Sequence, residues 1–237
     1  MFYAVSVDSN AGTLDLTPTW ASKGLCWQPS LLDPSVESRS GGHALGDASV
    51  HGPANPIDIA VRRHLSRGAW IDHVPEWFAQ GDSLFEEMID HAPWRVEDQR
   101  RMYDRIVDVP RLTTGPWREN RPTLVDEMAA TLSRSYDIDL VSISANLYRD
   151  GRDSVAWHGD RVGRHRAVTI VAILSLGSPR TLLVRPNGGG SSVGFTMHSG
   201  DLVVMGGTAQ VTHEHCVPKR ANSGPRISIM FRERFGN

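Results

Sequence analysis

At about residue 138 of this 237-residue chain the hydrophobic period changes from helical to two. From there short alternating runs follow one another: "DLVSISANLY", "AVTIVAILSL", "RTLLVRP", "VGFTM", "DLVVMG" and "RISIMFR", separated by Gly, Pro, Asn and Ser. Many short strands of even spacing predict a β-sandwich or barrel. Upstream, "DSLFEEMIDHAPW" reads as a helix with Leu84, Phe85, Met88 and Ile89 on one face. Ser83 and Glu86 have the spacing of a capping box, and Pro93 stops the helix. "RPTLVDEMAATLSRSY" repeats the pattern, with Thr123 and Asp126 as the box and Leu124, Val125, Met128, Ala129 and Leu132 as the buried stripe. Two such helices are long enough to brace one face of a sheet.

The length suits one domain with a sizeable core and an appended tail, not two full domains. Residues 1–60, rich in Ser, Gly, Pro, Asp and His, lack apolar periodicity and predict a disordered tail carrying Trp20 and Trp27. The folded domain is expected over 61–237, with its β-core at about 138–234. The net charge of −2, from 25 basic and 27 acidic residues, does not mark a strongly basic nucleic-acid binder unless the basic residues cluster on one face. No apolar run approaches the roughly 18 residues of a membrane span, and "MFYAVSVDSN" lacks a signal-peptide pattern. A cytoplasmic protein with no membrane partner, acting as a monomer, is therefore expected. The two cysteines, Cys26 and Cys216, suggest free thiols in a reducing compartment.

Alternation sorts the strands into faces. In "VSISANLY", Val141, Ile143, Ala145 and Leu147 point one way and Ser142, Ser144, Asn146 and Tyr148 the other. In the last strand Ile227, Ile229 and Phe231 alternate with Arg226, Ser228, Met230 and Arg232, so two arginines share a face. A solvated sheet face explains that pair, and alternation alone favours it, since charged residues are rarely buried. An inward-facing pair would be a guanidinium clamp for a carboxylate. His158 and Asp160, at i and i+2 in "DSVAWHGDRVG", pose a similar choice between two polar loop residues and two ligands of one cation. A second histidine cluster, "THEHCVPK", strengthens the metal reading. Two His and a carboxylate on one side of an ion form the facial triad of non-haem Fe(II) oxygenases.

The ordered set "NLYRDGRDSVAWHGD", "HSGDLVVMGGTAQVTHEHCVPK" and "RISIMFR" resembles the AlkB family of Fe(II)/2-oxoglutarate-dependent nucleic-acid dealkylases, over roughly residues 70 to 234. The resemblance implies an α+β fold: a double-stranded β-helix, a cupin-like jelly-roll sandwich, braced by two or more helices. It implies His158, Asp160 and His215 as catalytic iron ligands, His215 rather than His213 because the family follows the distal ligand with a short apolar stretch as in "HCVP". It implies Asn146, Tyr148, Arg226 and Arg232 as the 2-oxoglutarate site, with Arg226 on the far carboxylate and Arg232 near the metal. The cofactors implied are Fe(II), 2-oxoglutarate and O2. The chemistry implied is hydroxylation of an N-alkyl group, which then leaves as an aldehyde.

Residues 92–120 resemble the family's nucleotide-recognition lid, interleaving Trp94 and Tyr103 with Arg95, Arg100, Arg101, Arg105 and Arg111. Trp94, Arg95, Tyr103, Arg111, Trp157 and Arg161 are the candidate substrate contacts, stacking on a flipped or single-stranded base and holding phosphate. Arg149, Arg152, Arg164 and Arg166 add charge near the site mouth that the resemblance implies. Three features depart from the family pattern and bear on base preference: Ser228 replaces a common Asn, Val162 and Gly163 replace carboxylates found in some members, and "LTTGPWREN" lacks an expected aromatic run. The reading is oxidative dealkylation of N-alkylated bases in DNA, a direct reversal of alkylation damage. The alternatives are the same chemistry on RNA, tRNA or a small molecule, a non-catalytic nucleic-acid-binding module, and a zinc hydrolase, which leaves the two arginines without a role.

Overall fold

The computed structural model describes residues 57, 60–96, 110–160 and 166–234, and the backbone alone of 6–7, 14–15, 99–102 and 105–108. Most of the predicted tail lies outside the described residues; within it β1 (Ser6–Val7) pairs with β2 (Leu14–Asp15). The larger sheet takes in β3 (Val61–His64) and β4 (Ala69–Val74), which are followed by α1 (Gly81–His91). Residues 92–120, in which a lid was expected, contain β5 (Arg95–Val96), the hairpin β6 (Gln99–Met102) and β7 (Arg105–Asp108), and β8 (Leu112–Thr113). Then come α2 (Thr123–Tyr136), β9 (Ser142–Tyr148), β10 (Val155–His158), β11 (Val171–Gly177), β12 (Arg180–Pro186) and β13 (Val193–Met197). The chain closes with β14 (Leu202–Gly207), the short α3 (Ala209–Thr212), β15 (His213–Val217) and β16 (Arg226–Arg232).

Antiparallel pairing builds an eight-stranded sheet in the order β3-β4-β14-β11-β16-β9-β8-β5 and a four-stranded sheet in the order β10-β15-β12-β13. The two pack face to face as a jelly roll. Strand alternation gives the larger sheet two dressed faces. Its outer face, with Ile143, Ala145, Leu147, Leu174, Ile227, Ile229 and Phe231, packs on Leu84 and Met88 of α1 and Val125, Met128, Ala129 and Leu132 of α2. Its inner face, with Ile71, Val171, Ile173, Val203, Met205 and Met230, meets Leu182, Val184 and Val217 of the smaller sheet. Among the described residues no helix is long and apolar enough to cross a membrane.

Neither predicted capping box forms. α1 starts at Gly81, two residues before Ser83, and α2 starts at Thr123 itself; neither helix has a side-chain cap. In α2 Asp126 instead receives the Arg121 guanidinium, at 2.9 Å from Nε and 2.7 Å from Nη2. At the β13–β14 turn Gly200 adopts φ +87°, and a Cβ there would stand 2.2 Å from the Phe78 carbonyl oxygen. Asp201 holds that turn, its carboxylate accepting the Glu76 N–H at 2.9 Å and the His198 N–H at 2.8 Å.

The solvated-face reading of the last strand fails. Arg226, Ser228 and Met230 are 2, 3 and 6 % exposed, because the smaller sheet covers the face that alternation had left polar.

Candidate active site

His158 ends β10 and His215 lies in β15; the two are register partners, and their ring centroids stand 4.3 Å apart. Between Val155 and His158 the ladder shifts register, the irregularity by which a strand re-aims a side chain. Asp160 follows two residues later, its Oδ1 4.0 Å from His158 Nε2. The donor atoms of His158, Asp160 and His215 all lie within 4.8 Å of one another, the one such cluster among the described residues. His213, the competing histidine, is engaged elsewhere: its Nδ1 is 2.8 Å from Thr212 Oγ1 and its Nε2 3.5 Å from Ser66 Oγ.

The surroundings prepare these groups as ligands. His158 Nδ1 is 2.8 Å from the Ala156 carbonyl oxygen, which can only accept, so Nδ1 carries the proton and Nε2 presents a lone pair. Burial lowers the His158 pKa, with Arg111 and Arg232 adding to the effect and Asp160 opposing it. Burial, aided by the His158 charge, pushes His215 down to about 3. Both imidazoles are therefore neutral near pH 7. Burial alone would raise the Asp160 pKa, but Arg232, His215 and His158 outweigh it and hold the carboxyl well below the usual range. Two neutral imidazoles and an ionised carboxylate on one side suit Fe(II).

Arg232 grips Asp160 as a fork, Nε to Oδ2 at 3.0 Å and Nη2 to Oδ1 at 3.3 Å, while Nη1 donates to Ser144 Oγ at 2.8 Å. Arg226 stands at the other end of the same strand. Its Nε donates to Ser175 Oγ at 2.9 Å, and its buried Nη1 has no hydrogen-bond partner among the described residues. The guanidinium lies 5.2 Å from the centre of the buried Tyr148 ring. Asn146, between the two arginines on the adjacent strand, has its amide 3.7 Å from Met230 Sδ. An unspent guanidinium N–H inside a wall is costly unless an acceptor meets it, and a carboxylate is its natural complement. The residues present thus fit both an iron ion and a small dicarboxylate.

The predicted substrate contacts separate. Arg111 is buried at 8 % exposure, its Nε has no hydrogen-bond partner among the described residues, and its charge acts on His158. Trp94 does not present a free ring, since it packs against the outer core and its indole N–H donates to the Met88 carbonyl at 3.1 Å. Arg95 is exposed on edge strand β5. Trp157 is turned from the site, stacked under the Arg185 guanidinium at 3.9 Å, on the outer side where Arg185 also meets Glu214 at 2.6 Å. Tyr103 and Arg161 lie outside the described residues, as do Val162, Gly163, Arg164 and the side chains of Arg100, Arg101 and Arg105. Arg149 and Arg152 cap the turn beside the Arg226 end and are spent on Asp153 and Asp150 at 2.8 and 2.7 Å. Arg166 pairs with Glu233 at 2.8 Å.

Four residues around the site had no distinct signal in the sequence: Ser144 and Ser175, which orient the two arginines, and Arg180 and Gln210. Arg180 is buried and donates to the Asp150, Asp153 and Pro218 carbonyls at 3.1, 2.8 and 2.7 Å, lying 5.5 Å from the Tyr148 ring centre. "LTTGPWREN" supplies buried Thr114 and Trp117 to the core rather than an aromatic wall.

Three comparisons bear on this arrangement. The chain is 29% identical over 180 residues to the alpha-ketoglutarate-dependent dioxygenase alkB homolog 3 of Bos taurus, covering 65% of this chain and 61% of that protein. It thus spans about three fifths of the length of that relative. It is 36% identical over 88 residues to uncharacterized protein R406 of Acanthamoeba polyphaga mimivirus, covering 36% of this chain and 46% of the other. The structure of OsALKBH1 superposes with a TM-score of 0.53 at 11% identity, over 73% of this chain and all of that one, which supports the jelly-roll fold. The model of the 2OG-Fe(II) oxygenase superfamily, a group that uses Fe(II), 2-oxoglutarate and O2, matches residues 69–232. That span holds β4 through β16 with the His158–Asp160–His215 cluster and both arginines, and the chain belongs to the 2OG-Fe(II) oxygenase superfamily.

Proposed function

We propose that this protein is an iron(II)/2-oxoglutarate dioxygenase that removes alkyl groups from N-alkylated bases in DNA, of the N1-methyladenine and N3-methylcytosine type. The observation that carries the reading is the shared inner face of the larger sheet. At one end it presents Arg232 to the His158–Asp160–His215 cluster, and at the other the unpartnered N–H of Arg226. His158, Asp160 and His215 hold the ion. Arg226, oriented by Ser175 and flanked by Tyr148, takes the far carboxylate of 2-oxoglutarate. When bound, iron(II) with 2-oxoglutarate and dioxygen supplies the oxidation: one oxygen atom goes to the alkyl carbon, the other to succinate, and carbon dioxide leaves.

Arg232 balances the Asp160 charge and is held toward the ion by Ser144. Arg111, buried and near enough for its charge to act on His158, is a described cation that can meet the polar edge of a base or its phosphate. The DNA assignment rests on the AlkB resemblance and on the arginine-rich lid sequence. Incubation of the purified protein with Fe(II), 2-oxoglutarate and methylated oligonucleotides tests it. Formaldehyde released from methylated DNA strands supports the reading; release from RNA strands alone moves the substrate to RNA. No release from either, with succinate still formed in the presence of a small amine, overturns the nucleic-acid assignment.

A further inference from the structure

The three donor residues come from two places, the end of β10 with its following loop and the middle of β15, and something must fix one relative to the other. The short α3 turn does this. It ends at Thr212, three residues before His215, and so moves with the strand that carries that histidine. From it the side chain of Gln210, 6 % exposed, reaches across, and its Oε1 accepts the backbone N–H of Asp160 at 3.0 Å. Its Nε2 lies 3.9 Å from Met205 Sδ, which orients the amide. Gly159 lies against the same turn: a Cβ there would stand 3.0 Å from the Gln210 carbonyl oxygen and 3.5 Å from that of His213. The turn is itself anchored, with the Asn187 side chain donating to the Val211 carbonyl at 2.6 Å and the Asn187 N–H to the Thr212 carbonyl at 3.0 Å.

Arg232 also holds Asp160, but through the two carboxylate oxygens, the atoms a cation would take. Gln210 holds it through the backbone N–H and competes with nothing. We infer that Gln210 is a positioning residue of the metal centre: through α3 it locks Asp160 in register with His215 and so sets metal affinity. The inference rests on the iron-binding reading above.

The test uses Mn(II) alone, with no cosubstrate, its dissociation constant read from the free-ion paramagnetic signal. Gln210→Met keeps the bulk and removes the acceptor; Gln210→Glu keeps an acceptor oxygen. Loss of an outer partner of this kind weakens metal affinity about 10- to 100-fold. The inference predicts that loss in Gln210→Met with a thermal midpoint close to wild type, and no weakening in Gln210→Glu. Equal affinity in wild type and a folded Gln210→Met overturns it. Independently of any variant, the Asp160 amide of the wild type must be protected from hydrogen exchange before metal is added, and a freely exchanging amide overturns it too. Wild type that binds no Mn(II) sinks the metal reading itself, and the inference with it.

Discussion

Arg226 is the residue whose chemistry is least ambiguous. A guanidinium with one N–H satisfied by Ser175 and another unmet inside a wall is built for an anion that fits beside it. A charged hydrogen bond contributes about 1.5–3 kcal/mol, and a tenfold change in affinity corresponds to about 1.4 kcal/mol. Arg226→Met is therefore expected to weaken 2-oxoglutarate binding roughly 10- to 150-fold in calorimetric titrations with Mn(II) present, while Mn(II) binding alone is unchanged. Equal cosubstrate affinity would remove Arg226 from the site. Asp201 gives a second residue-scale expectation. Burial would raise its pKa, but the His73 imidazole 3.7 Å away and the hydrogen bonds from the Glu76 and His198 N–H groups override it and lower the value. A carboxyl depressed by folding adds stability that is full above its unfolded pKa, about 3.9, and is lost as pH falls through the folded value. Asp201→Asn is expected to lower stability at pH 7 and to flatten the acid limb of the denaturation profile. An unchanged acid limb would show that the Asp201 turn does not contribute to it.

At the scale of elements, α2 is held by one face, with no side-chain cap at its N-terminus. Leu132 is fully buried between the helix and the sheet, and a large-to-small change at such a site costs about 2–5 kcal/mol. Leu132→Ala should lower the denaturant midpoint accordingly, while Glu127→Ala on the exposed face should shift stability by no more than about 0.5 kcal/mol. Comparable losses in both would mean that α2 does not pack as described. The elements also show what a sequence can reveal. The helical stripes of α1 and α2 and the longer strands β9, β11, β12, β14 and β16 were legible, because each repeats its period over enough residues to rise above chance. β10 and β15, which carry the two histidines, were not: "VAWH" is broken by a register shift, and "HEHCV" is five residues with buried side chains on both faces. Burial of Arg226 was illegible for a related reason. Alternation shows that two faces differ, not which is covered, and only the second sheet decides that. Gln210 and Arg180 act on backbone groups far away in sequence, and such partners leave no pattern. For His158, Asp160, His215 and the two arginines it was the ordered motif set of the family, not their spacing alone, that pointed to a shared site.

For the whole molecule, the site joins the two sheets: His158 and His215 belong to the smaller, Arg226 and Arg232 to the larger. A ligand that bridges them binds the folded chain and not the unfolded one, so it adds to global stability by mass action. At about 100 times the dissociation constant this amounts to about 2.7 kcal/mol, which raises the melting midpoint of a chain of this size by roughly 5–10 °C. Mn(II) with 2-oxoglutarate is expected to produce that rise, and a chelator to reverse it. A midpoint indifferent to both would mean that the sheets are not bridged.

His158, Asp160 and His215 are proposed to hold iron beside 2-oxoglutarate. Anaerobic addition of Fe(II) and 2-oxoglutarate to wild type and to His158→Ala, followed by visible absorption, tests it most directly. A weak charge-transfer band of the chelate is expected in the wild type and absent from the variant. No band in correctly folded wild type, or an equal band in the variant, would contradict it.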